Sequence, residues 1–106
     1  MKTVYLVTLS NGVTPQAFRS FRAAREFAIQ VSPARVGTKC PHGDTVMYAT
    51  RADLYADRNG ERSHIIQAII RTISRPDVFL RDENWPRHLR DEDWSRLMCE
   101  AVKAVL

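Results

Sequence analysis

Cysteine is scarce in this chain: Cys40 and Cys99 are the only two among 106 residues, and a disulfide scaffold is excluded. Apolar runs are short. None approaches the ~18 residues needed to span a bilayer, so a transmembrane helix is excluded as well. The apolar opening stretch VYLVTLS ends in Asn11-Gly12 and not in a small-residue cleavage site, so the expectation is a cytoplasmic chain without a signal peptide. Glycine is sparse too, four in all, and none stands in a phosphate-cradling spacing. Zinc-finger spacings and RNA-binding signatures are also missing. Lysine is rare, and 13 of the 16 cations are arginine, which fits a GC-rich genome as well as a bidentate recognition surface.

What is present is a composition of 44% hydrophobic and 26% charged residues, which implies one globular domain over residues 1–106. The net charge of +4 is placed unevenly. Residues 1–43 hold six cations against one acid, and residues 44–106 hold ten cations against eleven acids. The basic character therefore belongs to the first third of the chain.

The segment TVYLVTLS is apolar on both alternating sets and predicts a strand covered on both faces. Asn11-Gly12 turns the chain, and Thr14 with Pro15 reads as the start of a first helix running to Val31, where Pro33 ends it. On that helix Phe18, Phe21, Ala24 and Ala28 share one arc, with Arg19, Arg22 and Arg25 along its border. Residues 32–44 read as a loop and TVMYA at 45–49 as a second strand, with a right-handed crossover if the two strands pair in parallel. Thr50 and Asp53 resemble a capping box for a short helical turn closed by Asn59-Gly60. Ile65, Ile66, Ile69, Ile70 and Ile73 fall at helical spacing and predict a second long helix over 63–74 with Ser63 as its cap. PDVFL at 76–80 reads as a short strand. A last helix from about Asp91 places Trp94, Leu97, Met98, Ala101, Val102 and Val105 on one buried arc. The fold so predicted is α+β: a two- or three-stranded sheet packed by three helices in the order β, α, β, α, (β), α.

Several constellations carry possible chemistry. Arg19, Arg22 and Arg25, extended by Arg35 and Lys39, form a candidate patch for nucleic acid or an acidic partner. Its plain alternative is a solvated helix edge with Arg22 paired to Glu26. Cys40 stands between Lys39 and His42, an arrangement that would suit a nucleophilic thiol or, with His64, His88 or Cys99, a zinc site. No oriented base accompanies it and the spacing matches no common metal motif, so an ordinary loop cysteine is preferred and no metal or cofactor is assigned. His64, Gln67 and Arg71 present a polar face on the predicted second helix, read as solvated and not as a groove reader. Asp91, Glu92 and Asp93 suit the first turn of the last helix. Trp85, before Pro86 and beside Arg87 and Arg90, belongs to no stripe and is a candidate interface anchor.

These readings point to binding without catalysis. The leading expectation is a small protein that docks on a host protein or complex and modulates or inhibits it, as anti-defence proteins of phages and mobile elements do. Its anchor would be Trp85, Arg87 and Arg90. The alternative is a nucleic-acid-binding protein using the arginine ridge.

Overall fold

The computed structural model describes residues 3–61, 65–81 and 93–106. It is α+β, built on a five-stranded sheet. The elements run β1 (Val4–Leu9), β2 (Gln16–Phe18), α1 (Phe21–Val31), β3 (Val36–Lys39), β4 (Thr45–Tyr48), α2 (Arg51–Arg58), β5 (Ile66–Ile73), α3 (Pro76–Phe79) and α4 (Asp93–Lys103). The strand order is β2-β1-β5-β4-β3, and every neighbouring pair is antiparallel. Among the described residues no helix is long and apolar enough to cross a membrane.

The first strand matches its reading. β1 lies inside the sheet between β2 and β5, and its two side-chain sets enter two cores. Val7 and Leu9 join Ala24 and Ala28 of α1, Met47 of β4, and Ala68 and Ile70 of β5. Val4 and Leu6 join Ala17, Ile73, Met98 and Val102 on the opposite face, beneath α4. Because Ala24 and Ala28 are the fully buried positions of α1, the helix axis can approach the sheet closely, at interior packing density.

Five expectations are corrected. The first helix does not begin at Pro15. Residues 16–18 pair with β1 as an edge strand, and Ser20 caps α1 by accepting a hydrogen bond from Ala23 N at 3.2 Å. The isoleucine segment is not a helix but β5, the central strand, with Ala68, Ile70 and Thr72 toward α1 and Ile69, Arg71 and Ile73 away from it. A strand paired on both edges and packed on both faces shows the same apolar density as a buried helix, and four isoleucines with a threonine suit the pleat better. The sheet thus has five strands, and β1 and β4 flank β5 antiparallel instead of pairing in parallel. PDVFL forms the short helix α3, with Pro76 in its first turn. Residues 36–39 of the expected loop form β3.

Other readings hold. Thr50 caps α2 by accepting from Asp53 N at 3.1 Å. The last helix buries Met98 and Val102, although Trp94, expected in its core stripe, is 42% exposed. Residues 40–44 join β3 to β4 and are closed to a three-residue tip: Cys40 N donates to Asp44 O at 2.7 Å, Gly43 N donates to Cys40 O at 3.0 Å, and Gly43 supplies the left-handed φ of 102°.

Candidate functional site

In the expected arginine patch three of the five cations have partners within the protein. Arg19 precedes α1, and its Nε donates to Val105 O at 2.8 Å, fastening β2 to the end of α4. Arg22 pairs with Glu26 one turn on, at 3.3 Å. Arg35 folds back on the C-terminus of α1, where Nη1 donates to Ile29 O at 3.0 Å, to Ser32 O at 3.1 Å and to Ala34 O. A cation there meets carbonyls that lack helical partners and the negative end of the helix dipole. Asn11 completes that cap: Nδ2 donates to Val31 O at 2.9 Å while Oδ1 accepts from Val13 N.

Arg25 and Lys39 remain, and the fold brings them together. They flank a groove of ≈ 510 Å³ between α1 and β3 on the α1 face of the sheet. Tyr5, Thr45, Met47 and Thr72 form its floor, from three adjacent strands. Phe21 and Arg25 stand on the helix side, and Gly37 and Lys39 on the β3 side. The groove exists because α1 packs mainly over β1, β2 and β5, with Met47 of β4 entering the same core, and the groove opens beside the helix on the β3 side. Gly37 keeps it open, since a Cβ there would lie 3.3 Å from Thr45 Cγ2 and 3.6 Å from Met47 Cγ, over the floor. Phe21, 38% exposed, packs edge-on against Tyr5 with ring centroids 6.0 Å apart. Thr72 Oγ1 donates to Gly43 O at 3.0 Å and ties the β3–β4 turn to β5.

Neither Arg25 nor Lys39 has a hydrogen-bond or ion-pair partner among the described residues, and no acid lines the groove. The nearby carboxylate of Asp44 is engaged elsewhere, with His42 at 3.2 Å and Arg71 at 3.8 Å. The groove therefore presents two cations without a counter-charge among the described residues beside an aromatic edge, a set suited to anionic groups with an apolar stem.

A second, smaller cleft of ≈ 230 Å³ lies on the other face of β3, between it and α2, lined by Val36, Gly37, Thr38, Arg51, Leu54, Tyr55 and Arg58. Arg58 Nη2 donates to Thr38 Oγ1 at 3.0 Å. α2 is fixed beside β4 by a hydrogen bond from Tyr48 Oη to Asp57 Oδ2. Burial together with that carboxylate pushes the Tyr48 phenol up to about 12.

Cys40 and Cys99 are free thiols. Cys40 lies half-buried at the start of the β3–β4 turn, and His42 is directed to Asp44. Among the described residues no group of three or more His, Cys, Asp or Glu is placed to hold a metal ion. Gln67 and Arg71 belong to β5, so they form no helical face. The expected anchor, Trp85 with Arg87 and Arg90, lies outside the described residues, as do His64, His88, Asp91 and Glu92.

Gly37, Thr45, Met47, Tyr5 and Thr72 were not singled out in the sequence. The signal that exposes them is β-pairing: once residues 66–73 are a strand, Thr72 stands opposite Tyr5 and Ile70 opposite Thr45. Comparison of the chain with protein-family models, with curated proteins and with solved structures gives no match.

Proposed function

We propose that this protein is a non-catalytic binding module that takes an acidic segment of a partner protein into the α1–β3 groove and thereby modulates or inhibits that partner. One observation carries the reading. Of the five cations in the basic first third beyond Lys2, three meet the protein's own carbonyls or Glu26, while Arg25 and Lys39 converge on one groove that no acid lines among the described residues. Carboxylates on a flexible segment can meet both cations, and their stems can lie against the exposed Phe21 ring. Trp85, Arg87 and Arg90 remain a proposed second contact with the same partner.

The test is fluorescence anisotropy with a labelled glutamate-rich peptide, run beside an oligothymidine of equal charge. Binding of the peptide that drops at least tenfold in Arg25→Glu and in Lys39→Glu, and stays within about twofold in Arg22→Glu, supports the reading. Trp85→Ala in the same assay tests the second contact.

Nucleic acid is the second reading, favoured by the aromatic edge beside the cations, which is the composition of a single-strand stacking platform. With three cations engaged internally, few are left to neutralise phosphates, so on a single strand a salt slope of about 1.4 is expected in place of the roughly 3.5 that an intact ridge of five cations would yield. Preferential binding of the oligothymidine would favour it.

A further inference from the structure

β3 is an edge strand of the sheet, and Gly37 lines both clefts beside it. The strand thus runs as a narrow wall between two cationic pockets: Arg25 and Lys39 on the α1 side, Arg51 and Arg58 on the α2 side. Among the described residues neither cleft is lined by an acid. Hydrogen bonding fixes which backbone groups are available. Cys40 N donates to Asp44 O, and in an antiparallel ladder bonded positions alternate, so Thr38 shares the inward phase of Cys40 whereas Gly37 and Lys39 turn their amides and carbonyls to the outer side. Among the described residues no strand pairs with that side.

We propose that the outer edge of β3 accepts an extended acidic segment of the partner as an added strand. The inference rests on the acidic-partner reading of the groove and extends it. Main-chain hydrogen bonds to Gly37 and Lys39 would hold the segment, and its period of two would send successive side chains alternately to the two clefts. Carboxylates at consecutive positions then meet Arg25 and Lys39 on one face and Arg51 and Arg58 on the other. Charge also selects the occupant. Two copies of this chain joined edge to edge would oppose Lys39 and the arginines of both clefts against their like, the device by which natural edges refuse self-association. An acidic strand converts that repulsion into attraction.

The experiment uses the full chain and the acetylated, amidated peptide Thr-Val-Glu-Glu-Glu-Glu-Val-Thr. It compares this peptide with the same sequence N-methylated at its four central amides, and follows backbone amide exchange by nuclear magnetic resonance. The expected result has three parts. The parent peptide slows exchange at Gly37 and Lys39, N-methylation weakens binding by tenfold or more, and Arg51→Glu weakens it to a degree similar to Arg25→Glu. Equal binding of both peptides with unchanged exchange at Gly37 and Lys39, but loss of binding in Arg25→Glu, would overturn strand addition and leave the groove reading standing. No binding of either peptide would overturn both. A concentration-dependent dimer in sedimentation that protects the β3 amides without peptide would also overturn the proposal, by assigning the edge to a second copy.

Discussion

The two edges of the sheet are both short, yet their surroundings differ. At the β2 edge Ala17 is buried against Met98 and Val102, the Phe18 ring lies 5.3 Å from that of Phe27, and the neighbouring Arg19 is consumed by Val105 O. Both faces are filled, and the local cation serves the fold. At the β3 edge the side chains alternate between half-buried and exposed, each face opens into a cleft, and Arg25 and Lys39 meet no counter-charge among the described residues. The difference shows how one composition divides into structure and surface. An arginine within reach of orphan helix carbonyls becomes a cap, whereas one placed over an open strand stays available to a ligand.

The largest effect should come from charging the closed edge. Ala17→Asp places an unpaired carboxylate in the core under α4 and should cost on the order of 3 kcal/mol or more. Lys39→Glu on the open edge should change stability by less than about 0.5 kcal/mol. Urea unfolding of both variants checks this contrast, and comparable losses would mean that the β3 edge is as enclosed as β2.

Next comes the link that positions α2 beside the open edge. The Tyr48 phenol, about 10 in the unfolded chain, rises to about 12 in the fold, so the native state holds that proton more tightly. Its contribution is complete below pH ~10 and is lost as pH climbs toward ~12, a fall of up to about 3 kcal/mol. Tyr48→Phe should flatten that alkaline decline in stability measured from pH 9 to 12. An unchanged slope would remove the Tyr48–Asp57 bond from the account.

The smallest contrast lies within the predicted arginine patch itself. Arg35→Ala strips donors from the α1 C-terminus and should cost about 1–2 kcal/mol, whereas Arg25→Ala should leave the melting temperature nearly unchanged. Calorimetry on the pair would separate a cap from a ligand-facing group, and equal losses would erase the distinction.

Part of this was legible in the sequence. The two apolar sets of β1, the Thr50 cap of α2, the Arg22–Glu26 pair and the Met98/Val102 seam of α4 follow from local periodicity and capping chemistry, and all are present. The α+β class follows with them. Residues 66–73 misled because isoleucines three and four apart satisfy both a helical stripe and a strand buried on two faces, and only pairing with β1 and β4 decides between them. Gln16–Phe18 misled because three residues carry too little period to compete with a helix start at Thr14 and Pro15. The cationic patch was legible as composition. Its division was not, since whether Arg35 reaches the carbonyls of Ile29 and Ser32 is a matter of how the chain turns at Ser32. The groove floor was invisible for the same reason: Tyr5, Thr45, Met47 and Thr72 converge only across strands.

The most direct test of the account is a chemical-shift titration of the isotope-labelled protein with the glutamate-rich peptide. Perturbations are expected to concentrate at Arg25, Gly37, Thr38, Lys39, Thr45 and Thr72, with β2 and α4 silent. Shifts confined to Gln16–Phe18 and the Asp93–Lys103 helix, or spread evenly over exposed arginines, would contradict it.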